Sequence, residues 1–225
     1  MKKFLIIFLS LLSLATLKNT KTIDNSNKTY FSECYVIINR DNLEVLEGKN
    51  IHKVRSVASI SKVMTCIIAL ESNRIFDVIV APNEATKQIG SSIYIQENEK
   101  LSLLDLCYGL MLRSGNDAAM VIATHTIGYD NFINEMNNMS SKLGLNNTHF
   151  SNPHGLDNKT KNTSTAYDLG LLMSYLTKNK TFMNITGTKK YTLTSSKETH
   201  IWYNKNELSQ PNTSLLYRIQ EGNSM

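Results

Sequence analysis

Between Ser56 and Glu71 the apolar residues Ile60, Val63, Met64, Ile67, Ile68 and Leu70 recur at helical spacing over a broad arc. A helix apolar around so much of its girth has to be enclosed, so the chain must supply elements on several sides of it. The residues that follow provide candidates. Ser102 and Asp105 have the spacing of a helix-capping pair, and Leu103, Leu106, Cys107, Leu110 and Met111 continue at helical spacing. Arg113-Ser-Gly-Asn116 interrupts, and Asp117 opens another helix through about His125. Phe132, Ile133, Met136, Met139 and Leu143 mark a further helix stopped by Gly144, and Thr165 with Asp168 caps one that runs to Leu176.

Strands are expected at the two ends of this helical middle. Cys34-Tyr-Val-Ile-Ile-Asn39 and Leu43-Glu-Val-Leu46 flank an Asp41-Asn42 turn and read as an antiparallel hairpin. Tyr191-Thr-Leu-Thr194 and Ile201-Trp-Tyr203 read as a second, and Gly90 to Gln96 as a short strand or extended segment. The fold class is therefore mixed α/β of the α+β type, with its helices clustered. At 225 residues and 41% hydrophobic content, the chain can enclose one substantial core.

Met1-Lys2-Lys3 followed by the apolar run Phe4 to Leu14 has the form of a secretory signal, about half as long as a membrane-spanning helix. Ser13-Leu14-Ala15 is its cleavage site, and a signal that stays uncleaved is the one membrane segment expected. The signal thus occupies 1–15 and a polar lead-in 16–32, and the product is exported. Lys2 and Lys3 leave with the signal, so a formal charge of +5 becomes +3. No run of basic residues interleaved with aromatics occurs, so nucleic acid is not an expected partner. Cys34, Cys66 and Cys107 show no C-x-x-C spacing, and the last two fall in apolar helical patterns as core residues. The five histidines form no metal-ligand pattern, and no metal or cofactor is expected.

Chemistry concentrates at Ser59-Ile-Ser-Lys62, where the buried helix begins. Positions i and i+3 share a helical face, so the Lys62 amine can reach the Ser59 hydroxyl. Serine is a poor nucleophile until a base takes its proton, and a lysine serves once burial or a cationic neighbour lowers its pKa. The helix N-terminus adds backbone N–H groups where an oxyanion would develop. In the break between two helices, Ser114-Gly-Asn116 can present a hydroxyl to relay a proton and an amide to orient the lysine and a substrate carbonyl.

The pair resembles the penicillin-recognising serine enzymes, whose motifs are S-x-x-K, S-D-N and K-T-G. Five blocks narrow the resemblance to the D-alanyl-D-alanine carboxypeptidase family. They are Ala58-Ser-Ile-Ser-Lys-Val-Met-Thr65, Gly90-Ser-Ser-Ile-Tyr94, Tyr108-Gly-Leu-Met-Leu-Arg-Ser-Gly-Asn-Asp-Ala-Ala119, Asn147-Thr-His-Phe-Ser-Asn-Pro-His-Gly-Leu-Asp157 and Ser164-Thr-Ala-Tyr-Asp-Leu169. The resemblance implies a β-lactamase/transpeptidase-like catalytic domain over 33–225. It also implies an enzyme that removes the terminal D-alanine from peptidoglycan stem peptides through an acyl-enzyme, with β-lactams as covalent inhibitors. It makes Ser59 the nucleophile, Lys62 the general base, Ser114 the proton relay and Asn116 the substrate-binding residue. The Ser59 backbone N–H is then half of an oxyanion hole, and His154 a structural loop residue. Val57 stands where the family has proline.

No Lys-Thr-Gly follows Asn116. In the family that motif lies on a strand lining the other side of the cleft, and the likeness ends just before it. The expectation is a catalytic domain truncated there, its sheet incomplete. Two other readings follow: an inactive fragment or wall-binding scaffold of the same family, and, less favoured, a β-lactamase.

Overall fold

The computed structural model describes residues 32–157 and 160–206. The leader segment and the stretch after Asn206 lie outside these residues. The first hairpin forms, with β1 (Tyr35–Ile38) antiparallel to β2 (Val45–Lys49), but the return strand starts two residues later than expected because Leu43, at φ +59°, belongs to the connection. Asn39 tightens the connection, its Oδ1 accepting from Asp41 N and its backbone N–H donating to Glu44 O.

The central helix begins later than its apolar pattern suggests. Arg55–Ser56 form a two-residue strand, β3, paired with β6 (Thr163–Ser164). Ala58–Ser61 then make a single 3₁₀ turn, and only Lys62–Glu71 are α-helical (α1). Ile60 consequently falls outside the helix and is 49% exposed, whereas Met64, Cys66, Ile67 and Ala69 are wholly buried. The helices around α1 are α3 (Leu103–Arg113), α4 (Asn116–Thr126), α5 (Tyr129–Lys142) and α7 (Lys180–Gly187). Their buried residues Leu106, Leu110, Val121, Ile122, Phe132, Met136, Phe182 and Ile185 fill one continuous core with it. Between α1 and α3 the antiparallel pair β4 (Val78–Val80) and β5 (Lys100–Ser102) flanks the short helix α2 (Asn83–Thr86). Gly90 to Gln96 makes no ladder pairing, and Gly90 (φ +88°) and Tyr94 (φ +63°) break any extended run, so the segment is not a strand.

Both expected caps form, in different ways. At α3, Ser102 Oγ accepts from Asp105 N at 3.1 Å while Asp105 Oδ2 accepts from Ser102 N at 2.9 Å, the reciprocal pattern of a capping box. At α6 (Ala166–Leu176), Thr165 Oγ1 accepts from Asp168 N. The Asp168 carboxylate instead accepts from Asn147 N and Thr148 Oγ1, both at 2.8 Å, and so anchors the long loop after α5.

The second hairpin, β7 (Lys190–Thr194) and β8 (Thr199–Tyr203), lies over α3. Tyr191 stacks on Tyr108 with ring centroids 3.8 Å apart and donates its hydroxyl to Asp105 Oδ1 at 2.6 Å. Trp202 is buried over Gly109, where a side chain would collide with Ile93. The strands thus form four two-stranded antiparallel ribbons around a helical cluster among the described residues. Cys66 and Cys107 are both buried as free thiols, and Cys107 is pushed well up by its contact with Cys66 and by burial. No helix among the described residues is long and apolar enough to cross a membrane.

Candidate active site

Ser59 and Lys62 meet at the step from the 3₁₀ turn into α1. Ser59 is exposed, while Lys62, one turn on, is 2% exposed. Lys62 Nζ lies 3.1 Å from Ser59 Oγ and 2.7 Å from the carbonyl oxygen of His154. Burial first, and the nearby charge of Lys205 second, lower the lysine from 10.5 to about 8, with Asp117 acting in the opposite sense. A neutral amine in this position donates one N–H to the His154 carbonyl and turns its lone pair toward the Ser59 hydroxyl.

The loop that supplies that carbonyl is held by asparagines. Asn162, wholly buried, accepts from Ser151 N and Asn152 N and donates to Asn152 O. Asn152 Oδ1 in turn accepts from Gly155 N at 2.6 Å, which closes the Asn-Pro-His-Gly turn, and Thr65 on α1 donates to Pro153 O at 2.6 Å. The His154 ring is a weaker base than the Lys62 amine. Burial first, and Lys62 second, lower it to about 4, so it is neutral at physiological pH. Its Nδ1 accepts from Leu156 N, which leaves the proton on the outward nitrogen. Gly155, at φ +82°, packs so tightly on the backbone of Ala58 that an added Cβ would lie 1.7 Å from Ala58 O. Ala58 itself has φ +41°, a costly conformation for alanine immediately before the exposed serine.

The second motif forms the corner between α3 and α4. Ser114 caps α3 in the left-handed conformation, half-buried, and its hydroxyl makes no hydrogen bond with other described residues. Asn116 is buried and its amide Nδ2 donates to Ile89 O at 2.6 Å, so that nitrogen serves the neighbouring loop rather than Lys62. Two residues that the sequence did not single out for the site bear on Lys62. Asp117 is wholly buried and accepts from Ile93 N, Ile95 N, Ser92 Oγ and Ala118 N, which fixes the 91–95 segment over α4. Lys205 follows β8, and its backbone N–H donates to Leu112 O near the end of α3.

Comparison with known proteins agrees with this architecture. The sequence profile of the D-alanyl-D-alanine carboxypeptidase family matches residues 20–218, and the chain belongs to that family. It is 30% identical over 173 residues to the D-alanyl-D-alanine carboxypeptidase DacF of Bacillus subtilis, covering 74% of this chain and 44% of that protein. It is 35% identical over 150 residues to DacD of Escherichia coli, covering 61% and 38%. The chain thus matches less than half the length of either. Among solved structures, the D-alanyl-D-alanine carboxypeptidase of Mycobacterium tuberculosis superposes with a TM-score of 0.76 at 28% identity, over 80% of this chain and 68% of that one. A mutant of the Streptomyces K15 DD-transpeptidase gives 0.76 at 28% identity, over 82% and 78%.

Proposed function

We propose that this protein is a serine-type D-Ala-D-Ala carboxypeptidase, exported to the outer face of the cytoplasmic membrane or the cell wall. There it trims the terminal D-alanine from peptidoglycan stem peptides. One observation carries the reading: a buried lysine, lowered to about 8, sits 3.1 Å from the hydroxyl of an exposed serine. In this reading the neutral Lys62 amine takes the Ser59 proton as Oγ bonds to the carbonyl carbon of the penultimate D-alanine. The Ser59 backbone N–H faces the oxyanion, and the Asn116 side-chain oxygen orients the substrate amide. The C–N bond then breaks, and the departing D-alanine amine receives the proton from Lys62 through the Ser114 hydroxyl. Water hydrolyses the Ser59 ester with Lys62 again as base. A β-lactam would acylate the same Oγ.

The full chain is expected to release one equivalent of free D-alanine from an acyl-peptide ending in D-Ala-D-Ala, measured with a D-amino-acid oxidase assay. Absence of both penicillin labelling and D-alanine release would overturn the reading.

The packing of Gly155 gives a second expectation. Gly155→Ala forces the Ala58 carbonyl aside and moves Ser59 relative to Lys62. A displacement of about 1 Å at such a contact costs ~10²-fold in rate. Penicillin acylation of this variant is expected to slow by that order while its circular dichroism stays native.

A further inference from the structure

Away from Ser59, Glu99 converges with Glu198 and His200, about a hundred residues further along the chain. We propose that these three side chains bind one divalent transition-metal ion of the zinc class, which fastens the β7–β8 hairpin to the segment entering β5. Glu99 is wholly buried and His200 is 6% exposed, so two of the three donors are held by the core rather than free on the surface. His200 Nε2 lies 2.6 Å from Glu99 Oε1 and 3.9 Å from Glu198 Oε1, and all three donor atoms lie within 4.8 Å of one another. A tetrahedral zinc ion with bonds of about 2.0–2.1 Å sets its donors roughly 3.3 Å apart. The two His200 distances straddle that value, and Glu198, with its side chain 45% exposed, is the donor free to adjust.

The surroundings already orient both carboxylates. Gln96 N donates to Glu99 Oε2 at 2.8 Å, Ser195 Oγ donates to Glu99 Oε1, and Gln96 Nε2 donates to Glu198 Oε1 at 3.2 Å. Such outer partners fix ligand orientation in metal sites. Charge points the same way, since two carboxylates face one imidazole. When the ion binds, it takes the Nε2 lone pair, and the imidazole carries its proton on Nδ1. One imidazole nitrogen with two carboxylates, and a fourth position open on the Glu198 side, suits zinc better than calcium or magnesium, which call for six or more oxygens. The ion would stiffen a hairpin that runs from His200 through Asn204 to Lys205, the residue whose charge lowers Lys62.

The test uses the full chain stripped with EDTA, titrated calorimetrically with zinc chloride and melted with zinc or magnesium chloride. One zinc ion per chain and a raised melting midpoint with zinc alone are expected. Glu198→Gln is expected to weaken zinc binding about tenfold or more without changing the metal-free midpoint, because Glu198 is exposed. Cys34→Ser is expected to change neither. Absence of saturable binding, an equal response to magnesium, affinity unchanged in Glu198→Gln, or affinity lost in Cys34→Ser would each overturn the site.

Discussion

Acylation of the full chain by a fluorescent penicillin is expected to vanish in Ser59→Ala and to fall by ~10²–10⁴-fold in Lys62→Met. Methionine keeps most of the buried stem, so the loss reports the amine rather than a cavity. The pH dependence of the unmodified chain is more diagnostic. Lys62 is active as the neutral amine, so the rate should climb about tenfold per pH unit below its pKa and level off above it. With the lysine lowered to about 8, the plateau begins near that pH. A solvated lysine would still be climbing at pH 10. Lys205 lowers the amine, so Lys205→Ala is expected to carry the limb to higher pH with the plateau rate little changed. A pH-independent rate, or undiminished labelling of Ser59→Ala, would remove Ser59 and Lys62 from the mechanism.

What the sequence showed of this site was what lies within one helical turn. Ser59 and Lys62 are three residues apart, and local geometry alone brings them together. The first hairpin and the Ser102–Asp105 box were legible for the same reason, because each closes over a few residues. The remainder depends on distant contacts. The pairing of Arg55–Ser56 with Thr163–Ser164 spans more than a hundred residues, and it delays the start of α1 and leaves Ile60 outside it. The partner that steadies Lys62 is a backbone carbonyl of His154, and carbonyls carry no signature in residue type. Helix α7 went unread because its Asn-, Lys- and Thr-rich segment buries only Phe182 and Ile185. The same limit hid the convergence of Glu99 with Glu198 and His200, about a hundred residues further on, where the histidines alone gave no ligand spacing.

Asp117→Ala is expected to destabilise the domain by about 4 kcal/mol, read as a lower midpoint in urea. The carboxylate is wholly buried and accepts three backbone N–H groups and one hydroxyl. Hydrogen bonds to a charged acceptor are each worth ~1.5–3 kcal/mol, and donors left unpaired in a core cost ~1–3 kcal/mol apiece. Water entering the vacated space and relaxation of the 91–95 segment recover part of that, which sets the figure below the full sum. Against a total stability of ~5–15 kcal/mol the loss is large. Asp117→Asn preserves the volume but puts an NH₂ against donors, so it should recover less than half of the deficit. The electrostatic consequence separates this residue from an ordinary structural one. Asp117 raises Lys62, so its removal lowers the amine further and moves the acylation limb to lower pH, opposite to Lys205→Ala. Two substitutions on different elements that displace one limb in opposite directions would tie the cleft's charge balance to a single titrating group. A limb that stays put in both would show that the group it reports is not Lys62.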